Sequence, residues 1–232
     1  MAAVIGVLVI AGIGYAILKG LGPATSVDST FIYDDFNDPE YDGLYNGKLW
    51  RGSGDCGNVQ ENGMLTIYDA TCDLTVINPE TVKGVDAGTI GAKRMKTTRD
   101  GNGKLITSYL TLEARISMSY GIWEARCDQT AYGDQFEHIF IVKRHSGNQE
   151  ELFYQTSAPG WFNNWYTLEL VIDPETMEAT CLVNGVAIGS YIPENASILR
   201  EADFTRTLIN LREEGATGTI QIDDVFIKPP NK

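Results

Sequence analysis

Ala179-Thr-Cys-Leu-Val-Asn-Gly-Val-Ala-Ile188 holds Asn184-Gly185 between alternating apolar residues. Asn-Gly suits a two-residue hairpin, because both central positions of such a turn need positive φ. The segment therefore predicts a strand over 179–183 that turns back on itself. Short alternating runs of the same kind continue in both directions, separated by turn residues, which is the pattern of a sandwich or barrel. Residues 31–36 open the series, and 64–68 follow a second Asn-Gly at Asn62-Gly63. Residues 105–117 read as a long strand turned by Ser119-Tyr120-Gly121 into 122–127. Residues 138–143 form a continuous apolar run, as expected of a strand covered on both faces. Residues 166–172, 208–212 and 219–227 complete the set, and the first and last strands are expected to lie near each other.

Residues 2–18, AAVIGVLVIAGIGYAIL, carry no charge and stop at Lys19, Gly20 and Pro23. A run of that length stands at the short edge of a bilayer span. The reading is an anchor helix at 1–18 that packs in a membrane or against copies of itself, a linker at 19–29, and one domain over 30–232. A cleaved leader is the main alternative, although the usual basic start is missing; a core helix is a further one. Localisation at an extracellular, cell or virion surface follows from the anchor.

The net charge of −13 and the lack of clustered Lys and Arg argue against nucleic acid as a partner. Four cysteines, Cys56, Cys72, Cys127 and Cys181, permit two disulfides in an oxidising compartment. Three pairings are open; Cys56–Cys72 across the Asn62-Gly63 turn and Cys127–Cys181 are favoured, with free buried thiols as the alternative. Asn195-Ala196-Ser197 is a glycosylation triplet only where a host uses it.

Several segments, in order, resemble the concanavalin A-like lectin and glucanase superfamily, which includes laminin-G-like modules and family-16 glucanases. Tyr33-Asp-Asp-Phe-Asn37 followed by Leu49-Trp50 resembles the opening strand, and Tyr120-Gly-Ile-Trp-Glu-Ala-Arg126 resembles the glucanase Tyr-Gly-x-Phe-Glu-Ala-Arg strand. Trp165-Tyr-Thr-Leu-Glu-Leu170 with Cys181-Leu-Val-Asn-Gly-Val186 is similar to a later hairpin, and Ile222-Asp-Asp-Val-Phe-Ile227 to the closing strand. The resemblance implies an all-β fold, a two-sheet antiparallel jelly-roll sandwich, here preceded by the hydrophobic helix. It also implies a structural Ca²⁺ held by Asp35 of the Asp34-Asp35 segment, the Gly63 carbonyl and Asp223, oxygens of the kind a hard cation takes.

The glucanases resembled here mount Glu-x-Asp-x-Glu on one strand, so that alternation puts all three acids on one face. The corresponding strand is Gln149-Glu-Glu-Leu-Phe-Tyr-Gln155. One register offers Glu151, Phe153 and Gln155, the other Glu150, Leu152 and Tyr154. Each keeps a single carboxylate, whereas glycoside hydrolysis by this chemistry needs two. His138, in an apolar run, reads as a hydrogen-bonded structural histidine. The chain is therefore expected to be a surface-anchored, non-catalytic lectin-like module for a glycan or glycoprotein, with Glu151, Tyr154, Trp161 and Phe162 as ligand-binding candidates. Trp50, Trp123 and Trp165 read as core. A filament, virion or surface-layer subunit assembled through its helix is the first alternative, and a glycoside hydrolase the second.

Overall fold

The computed structural model of the chain describes residues 31–43, 49–53, 57–68, 73–76, 89–98, 108–118, 120–132, 135–201, 204–213 and 219–228. The anchor at 1–18, the linker at 19–29, and Cys56 and Cys72 lie outside the described residues. Among those described, no helix is long and apolar enough to cross a membrane.

Two antiparallel sheets make the fold. The first runs β13 (Val186–Tyr191), β12 (Ala179–Val183), β11 (Leu168–Ile172), β6 (Thr89–Thr98), β15 (Thr219–Lys228), β4 (Met64–Tyr68) and β3 (Gly57–Glu61). The opening strand β1 (Phe31–Asp34) also pairs with β15, so the first and last strands meet. The second sheet runs β10 (Gln149–Pro159), β9 (Gln135–Ser146), β8 (Gly121–Tyr132), β7 (Ser108–Met118), β14 (Phe204–Glu213), β5 (Asp73–Val76) and β2 (Trp50–Ser53). A short helix, α1 (Ala196–Glu201), follows β13.

Both Asn-Gly turns form as their chemistry requires. Asn62 and Gly63 have φ of 53° and 72°, and Asn184 and Gly185 have φ of 52° and 75°. Strands β11 and β12 alternate strictly between buried and half-buried residues. Their inward residues, Leu168, Leu170, Ile172, Ala179, Cys181 and Val183, share one apolar core with Leu112, Ala114 and Ile116 of β7 and with Trp123, Ala125, Cys127, Phe140 and Val142 of β8 and β9. Truncating a fully buried ring such as Phe140 in a core this dense costs about 3–5 kcal/mol. Cys127 and Cys181, both without exposure, are disulfide-bonded with Cα atoms 5.4 Å apart. That bond ties β8 of one sheet to β12 of the other.

Three expectations need correction. The apolar run 138–143 is not covered on both faces: β9 alternates, with Phe136, His138, Phe140 and Val142 buried and Glu137, Ile139, Ile141 and Lys143 half-buried. Trp165 is 37% exposed and stands outside the core. His138 is buried without a hydrogen bond at either ring nitrogen. It is held instead by rings, with Tyr166 at 4.5 Å and Phe136 at 5.5 Å, both edge-on. Burial pulls its pKa down to about 4.

Candidate active site

Because β7, β8 and β9 turn their apolar residues inward, alternation sends their charged residues to the outer face of the second sheet. The register then sets opposite charges side by side. Arg115 of β7 faces Glu124 of β8, and Glu124 faces Lys143 of β9. Glu113 faces Arg126, Thr111 faces Asp128, and His145 of β9 faces Glu150 of β10. Complementary cross-strand pairs of this kind stabilise the sheet and fix its register.

The resulting network is unusual for its burial. Glu113, Glu124 and Asp128 are buried, although isolated carboxylates resist leaving water. Arg115 lies 3.0 Å from Glu124 and also contacts Glu113. Arg126 donates to Asp128 Oδ2 at 2.7 Å and to Thr111 Oγ1 at 3.2 Å. Burial raises the Asp128 pKa, with Arg126 working in the opposite direction. Burial and a shared hydrogen bond with Glu124 push Glu113 up to about 8. Burial would also raise Glu124. The hydrogen bond from Glu113 and the charges of Lys143, Arg115 and Arg126 outweigh that effect and hold Glu124 at about 2. The Glu113–Glu124 pair therefore shares one proton and one negative charge, with burial of Glu113 and the cations around Glu124 favouring the proton on Glu113.

Glu150 is the point where this network reaches solvent. Lys143 Nζ stands 3.4 Å from Glu124 Oε1 and 3.3 Å from Glu150 Oε1. His145 bridges the same two groups, with Nε2 3.1 Å from Glu124 and Nδ1 3.3 Å from Glu150. One ammonium serving both carboxylates keeps those oxygens within about 7 Å of each other. The Glu124 side chain is 1% exposed and that of Glu150 is 61% exposed.

The four ligand-binding candidates do not form one site. A bulge between Leu152 and Tyr154 breaks the period of β10, so neither expected register holds along the strand. Tyr154 consequently turns inward, packing on Phe140 and Tyr191. Glu151 pairs with Arg144 at the sandwich end. Trp161, 73% exposed, and Phe162 lie beyond the other end of β10, beside a cavity that Glu137 and Ser157 also line. The Trp161 backbone is pinned there by the Tyr166 hydroxyl, which accepts from its N–H at 2.8 Å.

The calcium candidates converge on one step of β15. Leu65 pairs with Ile222, and Asp34 with Val225, so the Gly63 turn and Asp35 both approach residues 223–224. Asn37, bonded to the Asp35 carbonyl at 2.9 Å, sets its side-chain oxygen so close to Gly63 that a Cβ there would lie 2.7 Å from it. Two carboxylates, a carbonyl and an amide oxygen suit a hard cation. No group of three or more acidic, His or Cys side chains poised for a metal occurs among the described residues.

No family model matches the chain, and no curated protein matches it. Solved structures do. The κ-carrageenase of Pseudoalteromonas carrageenovora, in complex with a κ-carrageenan oligotetrasaccharide, is similar at TM-score 0.52 and 10% identity, covering 90% of this chain and 99% of that one. The laminarinase of Flavobacterium sp. UMI-01 is similar at TM-score 0.54 and 13% identity, with 84% and 97% covered. A family-16 endo-glucanase of Bacteroides ovatus is similar at TM-score 0.54 and 12% identity, with 84% and 98% covered. The fold is the concanavalin A-like jelly-roll sandwich. The neighbours overturn the expectation of a non-catalytic lectin-like module, since they are for the most part glycoside hydrolases. Glu124 of β8 and Glu150 of β10, with β9 between them, meet through Lys143 and His145. The signal in the sequence is the alternation Glu113-x-Arg115 and Glu124-x-Arg126-x-Asp128, charged residues at every second position with Ala114, Ala125 and Cys127 between them.

Proposed function

We propose that the chain is a glycoside hydrolase acting on a polysaccharide, with the solvent-facing Glu150 as its acid and the buried Glu124 as the group that positions it. The observation that carries this reading is the bridging of a solvent-facing Glu150 and a buried Glu124 by the same Lys143 and His145. The oligosaccharide complex among the fold's neighbours supports a glycan as the ligand. Glu150 protonates the departing sugar oxygen as the glycosidic C–O bond breaks, and a water adds to the anomeric carbon and returns a proton to Glu150, while Glu124, buried behind it, holds Lys143 and His145 against Glu150. Lys143 and His145 hold both carboxyls in place, and Glu113, by keeping its proton, limits the repulsion around Glu124. The Cys127–Cys181 bond supports work in an oxidising setting outside the cytoplasm.

The test is release of reducing ends from laminarin, mixed-linkage β-glucan and κ-carrageenan by the purified full chain. Release is expected from at least one of them. Glu150→Gln should lower kcat at least ~100-fold, the scale of positioned acid–base catalysis, and Glu124→Gln should also abolish turnover. No release from any of the three, or release indifferent to Glu150→Gln, overturns the proposal.

A further inference from the structure

Around the edge of β10 from Glu150, a second cavity of about 320 Å³ opens at the end of the sandwich. Its walls are the rings of Tyr120, Phe153 and Tyr191, with Trp123, Pro193 and Leu199 also lining it and Glu194 and Asn195 supplied by the turn before α1. The bulge that breaks β10 is what delivers Phe153 here. Phe153 and Tyr191 lie parallel, 8° apart with centroids at 6.1 Å. The guanidinium of Arg144 caps Tyr120 at 5.6 Å and Phe153 at 5.9 Å. It is also the partner of Glu151, so its charge is spent within the wall.

Glu194 is different. Among the described residues no cation pairs with it, and it acts with Glu151 on the Tyr191 hydroxyl. Burial, then Glu194, then Glu151, all favour the protonated phenol. The pocket thus offers aromatic and aliphatic walls together with the Tyr191 hydroxyl, the Asn195 amide and the Glu194 carboxylate as polar groups. It is large enough for a small-ligand site of the usual kind. A pyranose matches this chemistry, because its C–H groups pack against the apolar walls while its hydroxyls bond to Glu194, Asn195 and the Tyr191 hydroxyl. An anionic sugar does not, since with Arg144 committed to Glu151 the pocket's uncompensated charge is Glu194.

We infer that this pocket is a carbohydrate-binding site distinct from the Glu150 site, selective for neutral or amino-bearing pyranoses and closed to uronates and sulfated sugars. It binds whether or not the chain hydrolyses anything, so the two readings fail separately. The experiment is calorimetric titration of the full chain carrying Glu150→Gln, which prevents turnover, with three tetrasaccharides. These are β-linked glucose, β-linked glucosamine and β-linked mannuronate. Glucose and glucosamine chains should bind, and the mannuronate chain at least tenfold more weakly. Tyr191→Ala should weaken binding at least tenfold. Glu194→Gln, an exposed change that spares the fold, should weaken the glucosamine chain at least fivefold more than the glucose chain. Binding by none of the three at millimolar concentration overturns the inference. So does mannuronate binding as tight as glucose, or binding untouched by both variants.

Discussion

His138 shows how far a single side chain departs from what its sequence neighbours suggest. An imidazole in an apolar strand reads as a hydrogen-bonded structural group, yet it is stabilised by the rings of Phe136 and Tyr166 and kept neutral by burial. Its pKa of about 4 lies below the ordinary 6.5, so between those values the unfolded chain binds a proton that the folded chain does not. Stability from this group is present above pH 6.5 and is lost as pH falls toward 4. The loss between pH 6.5 and 5 is about 2 kcal/mol. His138→Phe, which fills the same ring environment with no polar atom to desolvate, should raise Tm at pH 5 more than at pH 7.5. Glu113 has the opposite sign, since a carboxyl raised from 4.5 to about 8 contributes stability that is fully present below 4.5 and is lost as pH rises toward 8. Comparing thermal melts of His138→Phe and the parent at both pH values isolates the histidine. An equal change in Tm at the two values would show that His138 is not neutralised by burial.

At the scale of elements, strand identity was legible where local chemistry dictates it. Asn62-Gly63 and Asn184-Gly185 announce their hairpins because few other residues accept φ near +50° and +75° in succession. Strand β12 (Ala179–Val183) and strand β4 (Met64–Tyr68) fall where alternation sets them. The bulge in β10 was not legible, because it comes from pairing with β9 and not from a Gly or Pro in β10. Strand β6, central in the first sheet, was also missed: Thr89-Ile-Gly-Ala-Lys-Arg-Met-Lys-Thr-Thr98 has no apolar alternation to mark it. The Cys127–Cys181 bond belongs to this scale too, since it couples β8 to β12 and closes a segment with a sequence separation of 54. Loop-closure entropy alone gives it about 4 kcal/mol. The Cys127→Ala/Cys181→Ala protein should lose roughly 2–4 kcal/mol in denaturant unfolding, with the far-ultraviolet β signal retained before the transition. An unchanged unfolding midpoint would mean that the sheets are held together without the bond.

For the molecule as a whole, the closing of the chain matters most, because β15 sits centrally and receives β1, β4 and β6. Asp35, the Gly63 turn and the 223–224 step of β15 converge where these strands meet. An ion there would link the opening strand, an early hairpin and the closing strand, and we propose Ca²⁺ as that ion. The acidic surplus of a chain with net charge −13 favours a divalent cation at such a junction. A ligand bound only by the folded state stabilises it by RT ln(1 + [Ca²⁺]/Kd), about 2.7 kcal/mol at a hundredfold excess over Kd. Chelation by EGTA should therefore lower Tm, and millimolar Ca²⁺ should restore it. Asp223→Ala should remove that dependence while leaving reducing-sugar release in saturating Ca²⁺ intact, since β15 lies in the sheet opposite Glu124 and Glu150. Asp35→Asn should weaken the response without abolishing it, because the Gly63 and Asn37 oxygens remain. If metal-free protein melts at one temperature in EGTA and in Ca²⁺, these acids are solvated edge groups and the chain ends are joined by strand pairing alone.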